Sequence, residues 1–165
     1  MYTTSKHLRS RNMIETGGIA PDFTLTSHLG DEVQLSSYKS QKNIVLSFHI
    51  YSFTGGWTHQ VSSFRLNNKD FEDIDTQILG ISCDSKPAQT AFSGSLGSIP
   101  YPLLSDFYPH GHVSKLYGVF NEEKGTPLRA IVIINKDGQV VFSKTYSSAS
   151  DLDPKDILQE VKNLC

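Results

Sequence analysis

The sequence predicts an α/β fold in which helices flank a central mixed β-sheet. Two continuous apolar runs, residues 44–50 and 77–83, have the length and composition of buried strands. Each run precedes a segment whose apolar residues recur at helical spacing, and strands that alternate with helices are typical of parallel pairing. Two later runs, residues 130–134 and 139–143, flank an Asn-Lys-Asp-Gly turn and predict an antiparallel hairpin, so the sheet should contain both kinds of pairing.

The chain before the first buried strand predicts an N-terminal β-hairpin. Short strand-like runs at residues 23–25 and 33–35 flank a turn at residues 28–31. Residues 36–39 have the pattern of a single helical turn, and they lead into the strand at residues 44–50.

Four helices are predicted after that strand. They cover residues 56–74, 86–96 and 111–117, and a last helix begins at Asp153 and Pro154. Asn67 and Asn68 interrupt the apolar stripe of the first of these helices. A short strand at residues 101–104 separates the second helix from the third. The buried face of the last helix is predicted to carry Ile157, Leu158, Val161 and Leu164.

Length and composition fit one globular domain. The chain has 165 residues, and we predict a disordered extension at residues 1–12, a single domain at residues 13–165 and Met13 as an alternative start. The net charge of −2, and the lack of any apolar run near the ~20 residues of a membrane span, argue against nucleic-acid and membrane partners. Cys83 and Cys165 match neither a zinc spacing nor a CxxC motif, so we expect free thiols, a cytoplasmic location, no metal and no cofactor.

The strand-to-helix junction at residues 43–64 organises the rest of the sequence. A turn of mostly small residues follows the buried strand, and the helix after it carries Trp57, the only tryptophan. Such junctions often hold reactive groups, because a helix N-terminus offers free N–H donors and a positive dipole end. Thr54 is placed to cap this helix through its hydroxyl. The difficulty is Trp57, because an indole is not a nucleophile.

Several motifs in unbroken order carry a family resemblance. They are APDFTL at residues 20–25, FTG at 53–55, LLSDF at 103–107, PHG at 109–111, YGVFNE at 117–122, RAIVI at 129–133 and KDG at 136–138. Over residues 14–163 the chain resembles the peroxiredoxins, the AhpC/TSA group of the thioredoxin-fold superfamily, and it looks most like their one-cysteine AhpE subgroup. The resemblance implies a thioredoxin-like sandwich and an antioxidant function, the thiol-dependent or selenol-dependent reduction of hydroperoxides.

The reaction motif of that family, Pro-x-x-x-Thr-x-x-Cys, is only partly present. Its threonine falls on Thr54, which is kept, but its proline falls on Ile50 and its peroxidatic cysteine on Trp57. The glutamate that usually follows three residues later corresponds to Gln60, whereas the active-site arginine is kept as Arg129.

The resemblance also implies how the site would work. A thiolate at the helix N-terminus attacks the O–O bond and becomes a sulfenic acid, while Thr54 Oγ and the Arg129 guanidinium hold the peroxide oxygens and stabilise developing charge. The implied lining of the substrate pocket is Phe53, Gly55, Gly56 and Ile50. The implied partners are a hydroperoxide, an external thiol or a thioredoxin- or glutaredoxin-like reductant, and a second copy of the chain, with loops around Phe53 and Phe120 as candidate dimer contacts.

Three explanations of Trp57 stay open at this stage. In the first, the chain is a catalytically inactive peroxiredoxin-fold protein with a binding or regulatory role. In the second, Trp57 is a misdecoded selenocysteine: UGA encodes selenocysteine in some transcripts and tryptophan in some genetic codes, and similar bacterial proteins carry selenocysteine here. In the third, Cys83 has replaced residue 57 as the nucleophile at the C-terminal end of a central strand. The simpler interpretation of Cys83 is a small core residue.

The remaining polar candidates have simple interpretations. We expect His59 to be solvated, and we interpret His110 and His112 as part of a loop-to-helix junction without a third metal ligand nearby. Arg129 is either the site arginine or the partner of a surface carboxylate, and its place before a buried strand favours the site.

Overall fold

The predicted α/β architecture is confirmed in the computed structural model, which describes residues 12–164. Its strands are β1 (Thr24–Ser27), β2 (Glu32–Gln34), β3 (Asn43–Phe48), β4 (Thr76–Ser82), β5 (Leu103–Ser105), β6 (Phe120–Asn121), β7 (Thr126–Pro127), β8 (Ala130–Ile134) and β9 (Val140–Thr145). Its helices are α1 (Gly55–Glu72), α2 (Lys86–Ser95), α3 (His112–Leu116) and α4 (Pro154–Lys162), with 3-10 turns at Leu35–Tyr38 and Ala149–Asp151. The extension predicted at residues 1–12 lies outside the described residues except for Asn12, and Cys165 also lies outside them.

Seven of these strands form one mixed sheet, in the order β2-β1-β5-β4-β3-β8-β9. β4 pairs in parallel with both β3 and β5, and the other neighbours in the sheet are antiparallel. A parallel pair needs a crossover connection, and α1 and α2 supply the two that are required here. The hairpins predicted near both ends of the chain are confirmed as β1–β2 and β8–β9.

Both faces of the sheet are covered, so its central strand is apolar throughout. Every residue of β3 is buried. Successive side chains point to opposite faces, and accordingly Leu46 belongs to one apolar cluster while Val45 belongs to the other. The second cluster includes Phe64 of α1 and Val161 of α4, which shows that these two helices cover that face. The continuous apolar run at residues 44–50 thus reflects burial on two sides.

The apolar stripe of α1 is interrupted by Asn67 and Asn68 but the helix is not, and the buried Asn68 amide donates to Glu72 Oε1 of the same helix at 3.0 Å. Two sequence predictions need correction. The strand predicted at residues 101–104 begins only at Leu103, because Tyr101 is a core residue whose hydroxyl donates to the carbonyl of Val61 at 3.3 Å.

The second correction concerns the end of the described chain. Leu164 was expected on the buried face of α4, but the helix ends at Lys162 and Leu164 is exposed.

The strands β6 and β7 were not predicted, since two residues are too few for an alternating pattern. None of the described helices is long and apolar enough to cross a membrane.

Gly80 of β4 offers a test of the packing beneath the end of β3. A Cβ at this position would lie 2.8 Å from Leu103 Cδ2 and 3.5 Å from His49 Cε1. We expect Gly80→Ala to lower the free energy of unfolding by about 1–3 kcal/mol, because the added methyl overpacks a closed core. Urea unfolding measures the change.

The matched control is Gly94→Ala in α2, where no neighbouring atom lies within 4 Å of the added Cβ. Alanine is the better helix former, so this variant should be neutral or up to about 1 kcal/mol more stable. Equal losses of stability in the two variants would contradict the packing described for Gly80.

Candidate active site

The candidate site lies where β3 ends, at an edge of the sheet to which three strands contribute. Phe48, the last residue of β3, is in register with Ile81 of β4 and with Ala130 of β8. The backbone N–H of His49 continues the ladder by donating to the carbonyl of Ile81 at 3.0 Å. The antiparallel register with β8 therefore sets Arg129 opposite His49. Residues far apart in the sequence meet at this edge because β3 has a paired strand on each side.

Asp84 fastens the turn after β3 to the end of β4. One oxygen of its carboxylate, Oδ2, accepts from the backbone N–H of Ser52 at 2.9 Å and from the Ser52 hydroxyl at 2.7 Å. The same oxygen accepts from the hydroxyl of Ser82 at 2.8 Å. Hydrogen bonds to a charged acceptor are among the stronger ones in proteins, so Asp84 defines the path of the chain that leads into α1.

Thr54 is the N-cap residue of α1, but its hydroxyl does not cap the helix. Thr54 Oγ1 donates instead to the carbonyl of Tyr51, 2.9 Å away, and no side-chain cap bond forms. The predicted hydroxyl cap is therefore wrong, because no backbone N–H of the first turn of α1 donates to Thr54 Oγ1. Phe53, just before it, has a positive φ of 63° and is mostly exposed.

Trp57 is a core residue and is fully buried. Its indole is sandwiched between two rings: the His49 imidazole, with ring centroids 4.0 Å apart, and the Phe92 ring, with centroids 3.8 Å apart. The planes differ by only 15° and 23°, so both contacts are stacked. The indole Nε1–H finds no hydrogen-bond acceptor among the described residues. At the start of α1 the indole is therefore enclosed in a stack of three aromatic rings.

His49 is a buried and uncharged imidazole. Its Nδ1 lies 3.2 Å from the carbonyl oxygen of Ser47, and since a carbonyl only accepts, Nδ1 must carry the proton. Burial lowers the pKa of His49 to about 3, partly offset by that hydrogen bond, and the charge of Arg129 lowers it further. The other nitrogen, Nε2, is a buried acceptor with no partner in residues 12–164.

Gln60 and Arg129 form the polar part of the site. The Arg129 Nε–H donates to Gln60 Oε1 at 3.2 Å. The Gln60 amide in turn donates to the hydroxyl of Ser47 at 2.9 Å and lies 3.4 Å from the carbonyl of Phe48. Gln60 is buried, whereas Arg129 is half-buried, so the amide binds the guanidinium on the side that faces the protein interior.

Most of the sequence-predicted site residues meet at this junction. Arg129 Nη2 lies over the first turn of α1, since a Cβ built on Gly56 would be 3.0 Å from it. Gly55 is open, with no neighbouring atom within 4 Å of such a Cβ. Ile50 is half-buried and packs against the same apolar cluster as Trp57. The role of these residues in holding a substrate stays a prediction.

Cys83 lies immediately after β4 and is a half-buried thiol. Burial raises the pKa of Cys83 to about 12, and the carboxylates of Asp106 and Asp84 act in the same direction. A thiol with such a pKa is protonated near neutral pH, and the protonated form is not the nucleophile. These surroundings argue against Cys83 as the nucleophile.

Three residues that build the site carried no signal in the sequence. They are His49, Asp84 and Phe92: Asp84 and Phe92 contact residues that are distant along the chain, Ser52 and Trp57, and His49 stacks on Trp57. His59 is exposed, as expected, and His110 and His112 lie at the start of α3 and are exposed as well. Residues 12–164 contain no cluster of three or more side chains suited to a metal ion. An apolar pocket lined by Leu35, Tyr38, Ile44 and Ile134 lies at the opposite end of β3.

Comparison with known proteins decides the family. The model of the AhpC/TSA family matches residues 16–143. The chain belongs to this family, the peroxiredoxins. It is 36% identical over 132 residues to alkyl hydroperoxide reductase E of Mycobacterium tuberculosis, covering 80% of this chain and 86% of that protein. Hydroperoxide reduction is the function of the family, and its members use thioredoxin-type reductants and form oligomers.

Solved peroxiredoxin structures share the fold. The crystal structure of peroxidoxin BcpB from M. tuberculosis superimposes with a TM-score of 0.83 at 28% identity, covering 92% of this chain and 99% of that one. The reduced 2-Cys peroxiredoxin of Plasmodium vivax gives a TM-score of 0.80 at 25% identity, covering 90% and 95%. The thioredoxin-like sandwich implied by the sequence motifs is therefore confirmed.

The anchoring of the peroxiredoxin turn by Asp84 can be tested in the chain as it stands. We expect Asp84→Ala to accelerate hydrogen exchange of the Ser52 amide by tenfold or more, since a bond to a charged acceptor contributes about 1.5–3 kcal/mol. Nuclear magnetic resonance measures this rate. Asp31→Ala, at an exposed carboxylate in the β1–β2 turn, is the control and should leave the amide unchanged. Unaltered exchange in Asp84→Ala would show that the turn does not depend on this carboxylate.

Proposed function

We propose that the protein is a hydroperoxide-reducing peroxiredoxin whose native residue 57 is selenocysteine, read as tryptophan from a TGA codon. The observation that carries the proposal is the fully buried indole N–H of Trp57, which lacks an acceptor in the described chain. A buried tryptophan N–H usually has a partner, and leaving such a group unsatisfied costs about 1–3 kcal/mol. The surroundings of position 57 therefore do not accommodate the polar atom of an indole.

The polar groups around position 57 suit an anionic nucleophile instead. Residue 57 lies in the first turn of α1, an 18-residue helix whose dipole and free N–H groups favour negative charge at this end. The Arg129 guanidinium lies over Gly56 of the same turn and is bonded to Gln60 one turn later. A selenol at position 57 would be ionised at neutral pH. The resulting selenolate would lie close to the N-terminus of α1 and to the Arg129 guanidinium.

The proposed reaction follows from those positions. The selenolate attacks the terminal oxygen of the hydroperoxide, a Se–O bond forms as the O–O bond breaks, and the alkoxide leaves with a proton from water as an alcohol. Arg129 stabilises the negative charge that develops on the oxygens, and the Thr54 hydroxyl would turn from the Tyr51 carbonyl toward the substrate. Two external thiols then reduce the selenenic acid to selenolate, releasing water, a disulfide and a proton, and this proton neutralises the hydroxide left by the first step.

The cellular partners in this proposal are those expected from the family. The reductant is a thioredoxin- or glutaredoxin-like protein or a small thiol, the location is the cytoplasm, and two copies of the chain associate. Tyr51 and Phe53 are exposed at the turn and would supply an apolar rim for such contacts.

A catalytically inactive binding or regulatory protein is the second candidate, and the packing of Trp57 favours it. Both faces of the indole are stacked and its exposure is zero, so the ring fills the space where a peroxide would enter. Ile50 and Gln60 also differ from the family pattern. This candidate requires an encoded tryptophan, so the codon separates the two.

The codon at position 57 in the genomic DNA is the first test. The selenocysteine proposal predicts TGA, followed by a selenocysteine insertion element in the transcript. A TGG codon would refute the proposal and leave the inactive protein.

The second test is peroxidase activity with a thiol reductant. The chain with Trp57 should not consume hydroperoxide, whereas Trp57→Cys should gain turnover, since a thiolate at this helix start is nucleophilic. Adding Arg129→Met to that variant should reduce the rate by about 10²–10³, the usual loss for one charge-stabilising donor. Stopped-flow or coupled assays with an organic hydroperoxide measure both rates.

Trp57→Ser is the control, because it opens the same space without a nucleophile and should remain inactive. Removing most of a buried indole costs about 3–5 kcal/mol, so each variant is assayed after circular dichroism has shown that it is folded. Turnover by Trp57→Ser would point to another nucleophile, such as Cys83.

A further inference from the structure

We propose that Gln60 sets the charge of the site: it holds Arg129 through an uncharged acceptor, the amide oxygen, and so leaves the positive charge of the guanidinium uncompensated for the group at position 57. This inference rests on the proposed function, because it concerns the same site. It assigns Gln60 the role of a positioning residue in that site. It also gives a physical reason why position 60 carries an amide and not the carboxylate of the family motif.

The geometry of the contact supports a positioning role. Gln60 Oε1 accepts from Arg129 Nε at 3.2 Å, which leaves the terminal nitrogens of the guanidinium to other contacts. One of them, Nη2, is the atom that approaches Gly56, next to residue 57 in the first turn of α1. Gln60 is itself fixed, because its amide nitrogen donates to the Ser47 hydroxyl at 2.9 Å. The amide therefore orients the guanidinium so that Nη2 lies next to the first turn of α1.

No carboxylate cancels this charge at short range. Among residues 12–164, the salt bridges within 4.0 Å join Lys69 to Asp73 and Lys136 to Asp75, and Arg129 takes part in neither. The first turn of α1 contains no acidic residue.

The remaining neighbours of the guanidinium do not cancel its charge either. Asp151 is the acidic group that acts on Arg129, but it does so without an ion pair within 4.0 Å, and its Oδ2 accepts from the backbone N–H and hydroxyl of Ser148 instead. On the strand side His49 faces the site as an uncharged imidazole.

An amide and a carboxylate at position 60 would have different electrostatic effects with almost the same shape. A carboxylate would accept the same bond from Arg129 Nε but would bring a negative charge within hydrogen-bond distance of the guanidinium. The positive charge felt at position 57 would then largely vanish, and a thiolate or selenolate there would lose stabilisation. With Gln60, the anion keeps this stabilisation in a site that is shielded from solvent.

The first experiment leaves Trp57 in place and compares the pH dependence of unfolding in the parent chain and in Gln60→Glu. If the charge of Arg129 is uncompensated, the introduced carboxyl is ionised in the folded state, and the stability difference between the two chains stays constant from pH 5 to pH 7. If that charge is already cancelled, the buried carboxyl has a raised pKa. In that case the protonated carboxyl contributes its full stability below the unfolded pKa of about 4.3. As pH rises above that value the contribution is lost, and the folding equilibrium constant of Gln60→Glu falls by up to tenfold per pH unit.

Gln159→Glu is the matched control, because Gln159 is an exposed glutamine on α4. Its stability difference should stay constant under either hypothesis. A loss of stability with rising pH that is seen in Gln60→Glu but not in Gln159→Glu would overturn the proposal.

The second experiment measures ionisation of a thiol at position 57. We expect the thiolate of Trp57→Cys to need a pH about one unit higher when Gln60→Glu is added, which is tenfold less thiolate at a given pH. Ultraviolet absorbance of the thiolate reports this, after subtraction of Trp57→Ser, which keeps the other cysteines. An unchanged midpoint would overturn the proposal even if the first experiment agrees with it.

The two proposals can fail separately. If Trp57→Cys folds but does not reduce hydroperoxide, the proposed function fails, while the thiol midpoints still decide the role of Gln60. If Trp57→Cys does not fold, the unfolding measurements on the parent chain decide it.

Discussion

The site depends on the double pairing of β3 at the centre of the sheet. Its parallel register with β4 and its antiparallel register with β8 end at the same residue, Phe48, and this brings the start of β8 and the end of β4 to one edge. Arg129 lies just before β8 on one side of β3, and Asp84 lies just after β4 on the other side. A shift by one residue in either register would turn these side chains to the opposite face. The pairing therefore fixes the partners of the turn before any side chain of the site is considered.

The turn itself shows a conflict between packing and polar satisfaction. Stacking on two rings gives the Trp57 indole large apolar contacts and excludes water from it completely. The same burial leaves one donor, Trp57 Nε1, and one acceptor, His49 Nε2, without partners in the described chain. The two rings lie face to face, so these atoms are not aligned to bond to each other, and each unsatisfied atom costs about 1–3 kcal/mol. A residue without an N–H at position 57 would remove one of these costs.

The sequence predicted what depends on local pattern and missed what depends on register. The buried strands, the crossover helices and both hairpins followed from periodicity and turn residues. Thr54 and Arg129 were found through motifs, but the acceptor of the Thr54 hydroxyl was not, because the turn geometry that offers the Tyr51 carbonyl is not encoded in a pattern. Asp84 and His49 lack a motif, and only the pairing of β3 with its neighbours gives them a role.

Gln60 is the residue whose meaning changes most between sequence and structure. As a departure from the family motif it indicates decay of the site, since the charge that the motif places there is absent. In the structure both ends of its amide are used, with the oxygen on Arg129 and the nitrogen on Ser47. A carboxylate would offer Ser47 and the nearby Phe48 carbonyl no donor of its own. The amide thus satisfies both neighbours and leaves the charge of the guanidinium uncompensated, and a site that stabilises an anion at position 57 gains from both effects.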